Sequence, residues 1–425
     1  MRRSVLLATV LTTATFALAP LGVSAVVPAR TVTVCPSGPP LCDFATIPAA
    51  IAAVSDGDTI RVAPGRYAGG FSIDKSISLV GSGQAVTTIV GGGVPLTRSG
   101  SVQVAVGHTV EMRGITITGD EARGLVNLGR LLLVDSTVSH NHEEPGYYGE
   151  PEVAGIYNRG SLTLRSSRVA DNGFGRDGVG GILNDGSMTL DGSSVVGNDA
   201  EVGGIVNHGT AILRNSVVAH NGELGAGGIL NYGKLVLSKC TVAWNVADLA
   251  GGIDNEGEAT IVDSTILHNS VTVGDGGIQN RGTVRISRSV ISANTGLVET
   301  GGLGNHGGSV EITDTVLSYN TGGHGGGIGT FGGTLNLAGS IVTFNTIDRG
   351  SRGGGIHNEG TQMTLRETEI FGNFPDDCFG CPSRWDGPSD VRRSLSPFAL
   401  SPFRGLRLPA SVVRTQQMAQ IGLRG

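Results

Sequence analysis

One short pattern is written ten times between Gly124 and Asn373, and it constrains this chain more than any other feature. In its middle form it reads Gly-Gly-Ile-x-Asn-x-Gly, two apolar residues separated by one, Ser or Thr, an aliphatic residue, then Asn. GGIVNHGTAILRNSVVAHN, ending at Asn221, and GGILNYGKLVLSKCTVAWN, ending at Asn245, are two copies. A repeat of this length marks a solenoid or array, because one unit cannot bury its own apolar face and must stack on its neighbours.

The first Asn of each unit falls at 127, 158, 184, 207, 231, 255, 280 and 305, is replaced by Thr330, and returns at 358. The second falls at 141, 172, 198, 221, 245, 269, 294, 320, 345 and 373. From first to second the step is 14 residues seven times, then 15 three times. From second to the next first it ranges from 9 to 17. One arc of each unit is fixed and the other absorbs the length variation.

The fixed arc carries period-2 apolar runs such as Leu162-x-Leu164, Leu235-x-Leu237 and Val284-x-Ile286, which predict short strands. Turns of strand stacked at ~4.8 Å make a parallel β-helix, an all-β fold, here of roughly ten regular coils plus N-terminal coils. Leu125, Ile156, Ile182, Ile205, Ile229, Ile253, Ile278, Leu303, Ile328 and Ile356 then form an inward aliphatic stack. The two Asn columns predict side-chain amide ladders at the bends. Five residues before the second Asn stands a small residue, Ser or Thr everywhere except Cys240, which therefore reads as a buried serine substitute.

Residues 1–25 read as a secretory signal peptide: Arg2 and Arg3, an apolar stretch from Val5, and the small residues Val23-Ser24-Ala25. No later stretch is long and apolar enough for a membrane anchor, so a secreted or loosely surface-held protein is expected. Aromatics are only 4% and Gly is 70 of 425, which suits a narrow aliphatic core. A net charge of −6 leaves no basic field to draw nucleic acid. Among five Cys, the near neighbours Cys35 with Cys42 and Cys378 with Cys381 are the expected disulfides, a redox or metal role for Cys378-x-x-Cys381 being the alternative.

Residues 31–123 run in a different register. Phe44-Ala-Thr-Ile47 leads into Pro48–Val54, read as a short amphipathic helix capping the open end of the solenoid. Gly57-Asp58-Thr-Ile, Pro64-Gly-Arg-Tyr67 and Ile73-x-Lys75-x-Ile77-x-Leu79-x-Gly81 follow. This order resembles the cap and first coils of the pectin lyase-like superfamily, its pectinesterase branch in particular. The Gly124–Asn373 units resemble the Gly-Gly-Ile-x-Asn repeats of secreted bacterial right-handed β-helix proteins, and echo those of polymorphic outer membrane proteins. The resemblance implies a right-handed parallel β-helix. Residues 374–425, rich in Pro and with seven Arg and no Lys, read as a C-terminal cap and tail.

The superfamily's catalytic motifs do not transfer. The Asp-Phe-Ile-Phe-Gly and Leu-Gly-Arg-Pro-Trp segments of pectinesterases are missing, and Gly323-His324-Gly325 lacks the partners it has in polygalacturonases. Arg176 beside Asp177 is the only lyase-like pairing of base and acid in the early variable arcs. The longest arc holds Tyr147, Tyr148, Glu150 and Glu152, a candidate ligand-binding loop in which exposed aromatics could stack on sugars. Acids recur in the later arcs, Asp275 among them, and Ca²⁺ is the cation such a ridge would hold; no motif requires a cofactor.

Two functions follow as expectations. The first is an exported, monomeric scaffold or adhesin presenting variable loops to a polysaccharide, cell-wall or protein ligand. The second is a lyase or hydrolase acting on acidic polysaccharide. Convergent carboxylates with an Arg on adjacent coils would favour the enzyme; scattered acids would favour the scaffold.

Overall fold

The computed structural model describes residues 28–91, 100–119, 123–142, 152–173, 178–348 and 351–382. The signal-peptide stretch, the Tyr147, Tyr148 and Glu150 loop, Arg176 with Asp177, and the tail beyond 382 lie outside them. Every ladder is parallel, and the chain winds through three long sheets of 14, 13 and 13 strands and a fourth of 7. One coil shows the order: Ile205–Asn207 in sheet C, Thr210–Arg214 in sheet A, Val217–Ala219 in sheet B and Gly222–Ala226 in sheet D. This is a right-handed parallel β-helix, as the repeat predicts.

It has about 13 turns in all, against the ten regular coils counted from the Asn repeat. The extra coils lie in residues 31–123, where the same three strand positions recur without the Asn signature. Asn127 pairs in register with Val104, and Val104 with Ile73, so apolar side chains hold the first-Asn position in those coils. The cap is the helix Ile47–Ala53, which buries Ile47, Ala50 and Ile51 on the first coil. The Thr46 hydroxyl accepts from the Ala49 N–H at its start. Lys75 Nζ donates to the Ile51, Ala52 and Val54 carbonyls at its end, satisfying orphan acceptors.

All ten residues of the aliphatic stack are fully buried. In the first ladder each Asn Nδ2 donates to the next Oδ1, unbroken from Asn127 to Asn305 at 2.6–2.8 Å. Thr330 keeps the polar contact with Asn358, at 2.9 Å. The second ladder runs from Asn141 to Asn373 and ends on Asp377 Oδ1, which accepts from Asn373 Nδ2 at 3.1 Å. Cys240 is buried in the serine column, its backbone N–H bonded to Ser264 Oγ and its thiol to the Ser238 carbonyl. Cys35 is paired with Cys42, and Cys378 with Cys381.

Each regular coil also turns through the left-handed region twice. The residue before the serine column and the residue before the second Asn have φ of +47° to +57° even where they are not glycine, as at Lys239, Trp244 and Tyr319. Such a backbone costs about 1–3 kcal/mol per non-glycine residue, and the amide and hydroxyl ladders on either side enforce it.

Candidate functional site

Two outward columns on sheet C change chemistry abruptly along the regular coils described. The first is the middle residue of each strand, between the buried Ile and the first Asn. The second lies three residues before that Ile, where the variable arc folds back over the sheet. In the early coils both are apolar: Tyr157, Leu183 and Val206 pack under Val153, Val179, Val202, Ala226 and Ala250. Then both switch. The strand column continues as Asp254, Gln279, Gly304, Gly329 and His357. The arc column passes from Ala250 to Asp275, which it bridges, and then to Thr300, which donates its N–H to Asp275. The early coils show that apolar residues serve the architecture at these positions, so the polar ones call for another explanation.

At the switch the apolar cover is notched, and the polar arc side chains fill the notch. A Cβ on Gly304 would sit 2.1 Å from a carboxylate oxygen of Asp275, and one on Gly329 would sit 2.2 Å from Thr300 Oγ1. Only glycine lets these arc residues drop onto the sheet. Asp275, expected among exposed loop acids, is instead fully buried. Its Oδ1 accepts the Thr300 N–H at 2.9 Å, and its Oδ2 lies 2.7 Å from His306 Nε2. The imidazole stacks on Phe331 at 5.2 Å and stays partly exposed.

Asp254 is the second element. Its side chain is only 11% exposed. Its Oδ2 accepts from Gln279 Nε2 and its Oδ1 from Arg281 Nη1, each at 3.3 Å. The same guanidinium nitrogen reaches Glu256 Oε1 at 3.3 Å. Burial pushes the Asp254 carboxyl up to about 6, against the opposing pull of Arg281. The hydrogen bond to Asp275 raises His306 above the usual imidazole value, against its own burial. Glu256, Arg281 and His306 thus stand on three successive rungs, an acid, a cation and an imidazole at ~4.8 Å steps. In an Asp275→Asn variant the loss of that hydrogen bond and charge should drop the His306 titration to or below the ordinary imidazole range, read by ¹H–¹⁵N NMR of the ring. An unmoved titration would show that Asp275 does not tune it.

No family model matches this chain and no curated protein matches it. Solved structures similar to it include the pectin methylesterase PemA from Erwinia chrysanthemi, at 13% identity and TM-score 0.37 over 56% of this chain and 79% of that one. The pectate lyase Pel9A is similar at 16% identity and TM-score 0.34, covering 78% of this chain and 79% of the lyase. The A-module of the Azotobacter vinelandii mannuronan C-5 epimerase AlgE4 is similar at 15% identity and TM-score 0.41, covering 77% of this chain and 92% of the module.

Of the residues singled out in the sequence, Glu152 is described: it is half-buried at the edge of its arc, and its carbonyl accepts the Val179 N–H. The others, Arg176, Asp177, Tyr147, Tyr148 and Glu150, lie outside the described residues. Sequence reasoning missed the notch because Asp254 and Gln279 occupy the x of Gly-Gly-Ile-x-Asn, read as free. The available signal was the run of that column, Tyr, Leu, Val, Leu, then Asp, Gln, Gly, Gly, His. Among the described residues no group of three or more His, Cys, Asp or Glu is arranged to hold a metal ion, and no helix is long and apolar enough to cross a membrane.

Proposed function

We propose that this chain is an exported carbohydrate-active β-helix enzyme that cleaves an acidic polysaccharide lying along sheet C. The observation that carries this reading is the convergence of Asp254, Glu256, Asp275, Arg281 and His306 on adjacent coils, with Asp254 and Asp275 at positions that earlier coils fill with apolar residues. Strongly perturbed titratable groups beside a specific partner, at a site the architecture does not need, are the mark of proton-transfer chemistry.

Between pH about 6 and the raised value of His306, Asp254 is a carboxylate able to take a proton and His306 an imidazolium able to give one. Arg281 lies between them and can exchange Glu256 for a substrate carboxylate. In an elimination, Asp254 takes the proton from the carbon bearing that carboxylate, C5. The released pair forms the C4–C5 double bond, the C4–O4 bond breaks, and His306 Nδ1–H protonates the departing oxygen. Asp275 never gives up its own partner; it holds the imidazole in place.

The test is turnover by the purified full chain on a panel of polyuronates and neutral and amino glycans, with and without Ca²⁺. Unsaturated uronides should form from at least one polyuronate and fall at least 100-fold in Arg281→Ala. New reducing ends without unsaturation would move the same residues to hydrolysis. Retention of a glycan with no cleavage anywhere on the panel would overturn the enzyme and leave the scaffold reading.

A further inference from the structure

A second feature stands across sheet D from the notch, on the bend between sheets B and D. The residue before each second Asn is held left-handed, φ +53° to +57° at its non-glycine positions, so side chains in this column project outward rung above rung. Several are aromatic and stack. His220 and Trp244 lie 6.2 Å apart at 2°, Trp244 and His268 4.0 Å apart at 13°, and Tyr319 and Phe344 5.4 Å apart at 17°. Trp244 and Tyr319 are about half exposed. The column is therefore two short stacks separated by one rung, and that rung is Ala293.

The gap has a definite size. His268 and Tyr319 are two rungs apart, roughly 10 Å at ~4.8 Å per rung, with only a methyl group between them. A guest ring would sit about 5 Å from each wall. A flat aromatic makes contact at about 3.5–4.0 Å and would leave one face loose, whereas a puckered saturated ring with axial hydrogens fills the space. The flanks are hydroxylated. On the sheet B side Ser292 is partly exposed, its Oγ 3.3 Å from that of the buried Ser318, and Thr295 begins the strand on the sheet D side. Ring faces above and below with hydroxyls at the edges suit a pyranose.

We infer that the Ala293 gap is a sugar-binding slot, in which His268 and Tyr319 clamp one pyranose of a glycan while Ser292 and Thr295 meet its hydroxyls. The slot is independent of the acid–base notch and works whether or not the notch is catalytic.

Ala293→Phe tests it cleanly, because Trp, Tyr and Phe already occupy this backbone conformation at neighbouring rungs and the new ring completes the stack. The full chain is titrated calorimetrically with hexasaccharides of polyuronate, β-glucan and chitin types. Wild type should bind at least one, with affinity reduced at least tenfold in Ala293→Phe and in Tyr319→Ala. The melting temperature of Ala293→Phe should be unchanged or raised, and Asp254→Asn should keep the slot's affinity. Equal binding by wild type and Ala293→Phe would overturn the slot, as would no binding to any of the three. Concentration-dependent dimerisation abolished by Ala293→Phe, without sugar binding, would also overturn it and assign the gap to a second copy of the chain.

Discussion

Asn245→Asp should be among the most destabilising single substitutions in the chain at neutral pH, by about 3–5 kcal/mol, and should recover as the pH falls. Asn245 Oδ1 accepts from the backbone N–H and the Nδ2 of Asn221, at 3.0 Å each. Its Nδ2 donates to Asn269 Oδ1 at 2.9 Å and to the Val218 carbonyl at 3.1 Å. Asp keeps the acceptor but replaces the donor by a second oxygen facing two others, in a fully buried site. Burial and those acceptors disfavour the charged form, so the folded-state value of the new carboxyl is raised above its unfolded one. The sign follows: the native state binds the extra proton, so stability is lost above the folded value and regained below it, where the protonated acid donates again. Asn245→Ala removes the same donor without a charge and should be destabilised with little pH dependence. Urea unfolding at pH 7 and pH 4 separates the two. Wild-type stability of Asn245→Asp at pH 7 would mean the ladder is not what closes the coils.

Asp254→Asn should move stability and activity in opposite directions. A carboxyl held near 6 in the fold, against about 4 when unfolded, disfavours the native state at pH 7 by roughly 3 kcal/mol. The native state binds more protons between those values, so wild type gains stability as the pH falls through 6. Asn keeps the shape and can still pair with Gln279, so the variant should melt higher at pH 7 and lose that gain on acidification. Turnover should fall at least 1000-fold, because the proton acceptor is gone. A purely architectural Asp254 would give the stability change with unchanged turnover. That contrast is the signature of a site kept at a cost to the fold.

The coil was legible in the sequence because its ladders demand specific residues: an amide that both donates and accepts, an aliphatic side chain that fills the axis, a hydroxyl small enough for the bend. Thr330 and Cys240 could be recognised as substitutes for the same reason. The first coils were harder to count, since Ile73 and Val104 fill by packing what Asn127 fills by hydrogen bonding, and packing leaves no unique residue. The left-handed columns were less legible still. Their constraint acts on the backbone, and His, Trp, Tyr and Ala all meet it, so mixed chemistry there looked like freedom. The notch was hidden for another reason. Asp275 reaches sheet C only because Gly304, one coil later, has no side chain, and that relation becomes visible when the coils are stacked in register.

The most direct measurement is the pH dependence of kcat/KM on whichever polyuronate the panel identifies, for wild type and for Asp254→Asn. The notch predicts a bell whose acid limb lies near pH 6, from Asp254, and whose basic limb lies above the ordinary imidazole range, from His306. The residual activity of Asp254→Asn should lack the acid limb and keep the basic one. A wild-type profile flat across pH 5–8, or an acid limb that survives in Asp254→Asn, would contradict the assignment of the sheet C notch as the catalytic site.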